Sequence, residues 1–253
     1  MDERESKMLT RKEKNKKQSR NLSKTKLTFH KLDGLEWFSV AIGLWFLLIA
    51  NPYKILFVIL MALPIIGLVA NGLYGRPSIT SLIEISREKG EEKYDVADFI
   101  DFPALAICIR MVRDFEFESL YSLIIPGTLT FIAMCVLLWI THEVIIHSSK
   151  NKSWIYLSLF GNLFLYSYAG TYGVNCLFDH SETKYYPAKV LDKTIRRTRK
   201  SRTYYVKVAA WGHHHDPEKI SVARSQYETI QIGETVTIDY HEGLLGIPWY
   251  EIE

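Results

Sequence analysis

The chain has 253 residues, 48% of them hydrophobic and 23% charged, with a formal net charge of +3. Apolar and charged residues fall into separate long blocks, which argues against an ordinary soluble globule and points to a membrane protein with polar flanks. Composition excludes collagen, a coiled coil, a disordered chain and a disulfide-stapled secreted domain.

Residues 1–33 hold eleven Lys/Arg against five Asp/Glu, with few apolar residues and no helical period. They are expected to form a disordered basic tail. Arg11, Lys12, Lys14, Lys16 and Lys17 then act as a topology determinant, or attract anionic headgroups at about 1 kcal/mol each.

Four stretches almost free of charge follow, at about 37–53, 55–73, 120–141 and 154–178. Crossing a hydrocarbon layer of ~30 Å takes roughly 20 residues at about 1.5 Å each. The last two stretches meet this. The second just meets it, with Pro64 as a kink, and the first relies on Trp37 and Tyr53 as interface anchors. Asn51-Pro52 marks a tight turn between the first two. The long basic region before the first stretch, and the absence of a small-residue cleavage pattern after it, argue against a removed signal peptide. With both termini inside, the segments 1–36, 74–119 and 179–253 hold 28 Lys/Arg and the outer turns hold three, so the positive-inside bias predicts cytoplasmic N- and C-termini.

The intervening segment 74–119 reads as a cytoplasmic loop. Ser81 and Glu84 resemble a capping box for a short helix through Leu82, Ile83 and Ile85, ended by Gly90. Ala104–Ile109 suggests an interfacial helix, whereas the alternation of Arg113 to Glu118 suggests a strand. In the fourth stretch Ser158, Asn162, Tyr166, Ala169 and Gly173 share one helical face, a packing seam or a pore lining.

Beyond 179 the pattern changes. YYPAKVLDKTI, TYYVKVAAW, KISVARS, ETIQIG, ETVTIDY and IPWYEIE read as short strands, with Gly233, Gly243 and Gly246 at turns. Five or six such strands suggest a small antiparallel barrel over 179–253. Arg196, Arg197, Arg199, Lys200 and Arg202 crowd one hairpin tip and are candidate contacts to anionic lipid. The phrase Ile230-x-x-Gly233-Glu234-x-Val236-x-Ile238 resembles strand pairs of SH3-like and OB-like barrels appended to bacterial membrane proteins, a resemblance that implies an architecture and not an activity.

His142-Glu143 and His147 fail the H-E-x-x-H spacing, because histidines five apart diverge by about 140° around a helix. His213 and His215 could chelate a metal from an extended segment, but no third ligand is evident, His241 being a candidate only if the barrel brings it near. The cysteines Cys108, Cys135 and Cys176 are too far apart for a disulfide framework or a zinc knuckle. The expected fold is therefore a four-helix transmembrane bundle with a C-terminal cytoplasmic SH3/OB-like barrel, without catalytic residues, cofactor or metal. The expected role is that of a multi-pass scaffold whose partners are the bilayer and its own copies or another protein, not nucleic acid. A small oligomeric channel and a membrane enzyme are the alternatives.

Overall fold

The computed structural model describes residues 33–49, 51–73, 75–88, 91–146, 152–197 and 202–252. The tail 1–32 and the hairpin residues Arg199 and Lys200 lie outside them, and so do the expectations made for those residues. Helix α1 covers 33–48 and α2 covers Tyr53–Gly72. A 3-10 turn, Ile79–Leu82, then leads into the hairpin of β1 (Ile83–Glu88) and β2 (Glu91–Val96). Helices α3 (Asp98–Asp114), α4 (Tyr121–Thr141) and α5 (Lys152–Leu177) complete the bundle.

Among the described residues two helices, α2 and α4, are long and apolar enough to cross a membrane. The four spans expected from the sequence are thus not reproduced. Helix α1 has only 16 described residues. Helix α5 has 26 but is rich in Ser, Thr, Tyr and Asn. Its polarity is satisfied inside the bundle: Ser167 Oγ donates to Leu163 O at 2.7 Å, Thr171 Oγ1 to Thr130 Oγ1 at 2.9 Å, and Tyr166 Oη to Met61 O.

The segment 74–119 does not stay at one end of the bundle. Residues expected as a short helix form β1 instead, where β-branched Ile83 and Ile85 pair with Val96 and Tyr94. Helix α3 then runs back along α2. Asp98 and Asp101 in its first turn and Arg113 in its last complement the helix dipole. Its direction is fixed at both ends. Tyr53 Oη, at the start of α2, donates to Asp114 Oδ2 at 2.9 Å, and Gly67 near the end of α2 abuts the Phe99 ring. Arg110 is 6% exposed, donates from Nε to Phe46 O at 2.9 Å and pairs with Asp114 at 3.1 Å. Backbone pairing of Ser78 with Glu143 joins the ends of α2 and α4.

Five helices therefore alternate in direction. The hairpin, the start of α1 and the 142–146 segment share one end; the barrel occupies the other. Helix α3, which the loop reading omitted, thus adds a fifth helix to the bundle and leaves the start of α1 and the barrel at opposite ends of it.

The barrel-like sheet has six antiparallel strands in the order β3-β8-β7-β4-β5-β6. Its strands are β4 (Lys184–Arg197), β5 (Arg202–Val208), β6 (Glu218–Val222), β7 (Thr235–His241), β8 (Trp249–Ile252) and β3 (Glu116–Phe117). Val190, Val206, Val208, Ile220, Val236 and Ile238 fill its centre, as period-two alternation requires. The ETIQIG stretch is not a strand; helix α6 covers Arg224–Thr229, and Ile230 drops into the core after it. The expected boundary at 179 is also crossed. Strand β3 comes from the connection between α3 and α4, and its Glu116 Oε1 accepts the Ser221 N–H of β6 at 3.0 Å, drawing the sheet towards closure.

Candidate functional site

The joint between bundle and barrel gathers most of the chemistry-bearing side chains. Trp249 and Ile247 belong to the bundle core rather than to the barrel core. Phe115 meets Trp249 edge-on at 5.1 Å, and Phe117 stacks on Tyr172 at 3.9 Å. Asn175, fully buried near the end of α5, accepts Leu245 N–H at 2.9 Å and Ile247 N–H at 3.3 Å on Oδ1, and donates to Ile247 O at 2.7 Å. Asp179 Oδ2 accepts Gly243 N–H at 3.0 Å and Trp249 Nε1–H at 3.2 Å. Burial alone would raise the Asp179 carboxyl, but hydrogen bonds from Ser181, Trp249 and Gly243 hold it below the usual range.

On the same joint, Glu118, His213 and His214 form one cluster whose ligand atoms all lie within 4.8 Å of one another. Glu118 directly follows β3. His213 and His214 stand on the turn between β5 and β6, where Trp211 and His214 exchange backbone hydrogen bonds of 3.1 and 2.8 Å around Gly212 (φ +49°). In a strand, consecutive side chains would point to opposite faces. The tight turn brings the two imidazoles together instead, with ring centres 4.7 Å apart.

One carboxylate oxygen of Glu118 contacts His213 Nε2, and the other is 3.3 Å from His214 Nε2. His214 stacks on Trp211 at 4.3 Å, and its Nδ1 lies 3.3 Å from Glu218 Oε2. Glu218 Oε1 accepts the Tyr250 hydroxyl at 2.7 Å. Burial, then that hydrogen bond and the charge behind it, push the Tyr250 hydroxyl above its ordinary range. Burial also raises the Glu116 carboxyl, against the lowering effect of the Ser221 N–H.

The chelation idea for His213 and His215 is thus rearranged: the partner of His213 is His214, and the third group comes from 95 residues upstream. His241 stacks on Trp249 at 4.0 Å and stands outside the group. Spacing gave no signal for Glu118, Glu218 or Asn175.

Elsewhere, His142 is fully buried at the end of α4 between Asn71 Nδ2 (3.0 Å) and Thr141 Oγ1 (2.8 Å). Burial lowers its pKa to about 4, so the ring is neutral. Glu143 pairs through its backbone with Ser78, and His147 lies outside the described residues. On the small-residue face of α5, Tyr166 and Gly173 are buried against Met61, Phe57 and Met111 of α2 and α3. Asn162 donates to Ser158 O within its own helix at 3.1 Å, and Ser158 and Ala169 are half-buried. Arg196, Arg197 and Arg202 are exposed on β4 and β5. Arg202 also lines a cavity of about 650 Å³ with Arg113 and Arg224, which places that strand end beside the end of α3. No family model, curated protein or solved structure matches the chain.

Proposed function

We propose that the protein is a multi-pass membrane scaffold whose bundle lies in a lipid bilayer and holds the barrel firmly at one surface. The observation that supports this is the distribution of exposed apolar side chains. Among the described residues, twenty-eight of the thirty-three exposed large hydrophobic residues precede residue 179, among them Trp37, Leu48, Ile55, Ile125, Leu129 and Trp154. An apolar belt of that extent around a bundle is what lipid contact requires and water penalises. Helices α2 and α4 are long and apolar enough to cross by themselves. Helices α1, α3 and α5 cross with them through packing. Helix α3 turns Leu105, Ile109 and Val112 outward and keeps its acidic and basic residues at its two ends, where Arg110 is paired with Asp114.

With all five helices crossing, in place of the four read from hydropathy, the amino terminus and the barrel fall on opposite sides of the bilayer. The basic bias favours the hairpin end as cytoplasmic. Its connections carry Arg76, Arg87, Lys89, Lys93 and Lys150, and the eleven basic residues of 1–33 lead into it, whereas the short turns 49–52 and 115–120 at the barrel end carry none and the eleven of 179–253 belong to a long segment that counts for less in this rule. The barrel then faces the opposite compartment, with Arg196, Arg197 and Arg202 near headgroup phosphates. Membership of the bilayer and orientation are tested together. Single cysteines at Asp95 and at Ile232, in a chain whose three native cysteines are replaced by alanine, are labelled in intact cells with a membrane-impermeant maleimide. Only the Ile232 position should react, and the chain should stay in the pellet on carbonate extraction. Release into the supernatant, or equal labelling at both positions, overturns the reading.

A further inference from the structure

We propose that Glu118, His213 and His214 bind a divalent transition-metal ion of the zinc type, an ion that would tie the barrel to the bundle. This goes beyond the scaffold reading and does not depend on which compartment the barrel faces. Two imidazoles and one carboxylate are the donor set that such an ion favours over magnesium or calcium, which prefer oxygen alone. Zinc holds its ligands at about 2.0–2.2 Å, so tetrahedral donor atoms stand roughly 3.3–3.6 Å apart. The three donors here already lie within 4.8 Å of one another, and small side-chain rotations close the difference.

The surroundings of His214 provide a second, independent observation. Histidines that ligate metals usually present their other ring nitrogen to a carboxylate, which fixes the tautomer and the ring plane. His214 directs Nε2 at the cluster and Nδ1 at Glu218 Oε2, with Trp211 stacked against its ring. That Glu218 oxygen is buried and has no formed hydrogen bond among the described residues, while the other oxygen is held by Tyr250. A metal on Nε2 would leave the proton on Nδ1, facing the one unsatisfied oxygen. Glu218 thus acts as a positioning residue. His213 is 52% exposed and Glu118 16%, so the cluster is open to solvent, from which water would complete the coordination of a bound ion.

The consequence is mechanical. Glu118 belongs to the α3–α4 connection and the histidines to the β5–β6 turn, so coordination adds a cross-link between parts of the chain 95 residues apart.

The test uses the full chain purified in detergent, stripped with a chelator and titrated with Zn²⁺ by calorimetry, with metal content measured after dialysis. One ion per chain is expected. Glu118→Gln, His213→Ala and His214→Ala should each weaken binding at least tenfold, Glu218→Gln should weaken it about 10- to 100-fold, and His215→Ala should leave it unchanged. Zinc should raise the thermal midpoint of the wild-type chain and not that of Glu118→Gln. Should a variant fail to fold, the wild-type chain loaded with Co²⁺ decides: an intense visible band reports a four-coordinate site. Absence of stoichiometric binding overturns the proposal. So does a pattern in which His215→Ala weakens binding while Glu118→Gln does not, which would identify an adventitious surface histidine run.

Discussion

Truncation of Asn175 to alanine should weaken the attachment of the barrel more than any other single polar change at the joint. Its side chain makes three hydrogen bonds, of 2.7, 2.9 and 3.3 Å, to backbone groups at Leu245 and Ile247, and the residue is fully buried. A formed hydrogen bond contributes about 1 kcal/mol net, and a buried backbone group left unpaired costs about 1–3 kcal/mol. Partial entry of water into the vacated space would keep the sum near the lower end, so we expect a loss of about 3–4 kcal/mol. Asn175→Asp keeps the acceptor but sets an oxygen against Ile247 O, and should be at least as damaging at neutral pH. Urea unfolding in detergent, followed by tryptophan fluorescence, measures the loss, because Trp249 sits at this joint. Protease cutting within 243–247 should also accelerate in the variant while cutting elsewhere stays unchanged. A loss below about 1 kcal/mol, with no change in cutting, would refute the view that this amide anchors the barrel.

Three further outcomes are expected. Acidification should destabilise the bundle through His142. Its folded pKa of about 4 lies below the ordinary 6.5, so the unfolded chain takes up the proton first. The stabilisation is complete above pH 6.5 and is lost as pH falls towards 4, by up to about 3 kcal/mol; urea midpoints at several pH values should show this for the wild type and a flatter profile for His142→Gln. Glu116→Gln should be neutral to slightly stabilising at pH 7, since the amide oxygen can still accept the Ser221 N–H and a half-buried charge is removed, whereas Glu116→Ala should cost about 1–2 kcal/mol by thermal unfolding. Gly173→Leu should disrupt packing of α5 against Phe57 and Met111 and lower the thermal midpoint far more than Gly161→Leu, where no neighbouring atom lies within 4 Å of an added Cβ.

The uncharged runs of α2 and α4 and the alternation in β4, β5 and β7 appear in the structure, whereas the fourth uncharged run, read as a fuller span than the second, forms a helix that is not apolar enough to count as one. The runs and the alternation are local signals: the side-chain period of one element is visible without its neighbours. Helix α3 was only half visible. Its central Ala104–Ile109 read as helical, but Arg110 and Arg113 disguised it as a loop, because the neutralising partner of Arg110, Asp114, is recognisable only once the helix is in place. The hairpin β1–β2 was missed because Ser81 and Glu84 imitate a helix start, while the pairing of Ile83 with Val96 is a tertiary fact. The cluster of Glu118, His213 and His214 was legible only in its histidines. Glu118 reaches them through the docking of β3 on β8, a contact between residues more than 130 positions apart that no spacing encodes. On α5 the polar face attracted attention at Asn162, which bonds only to its own helix, while Asn175, one helical surface further along, was passed over.

The two-residue strand β3 has a consequence for the order in which the molecule is made. Glu116 and Phe117 leave the ribosome before α4 and α5, yet they pair with Trp249 and Tyr250, which emerge more than 130 residues later. The flank of β8 therefore has no mate until the bundle has closed around both later helices. A finished sheet thus certifies a finished bundle, and any excised carboxy-terminal fragment carries an open edge of the kind that recruits stray strands.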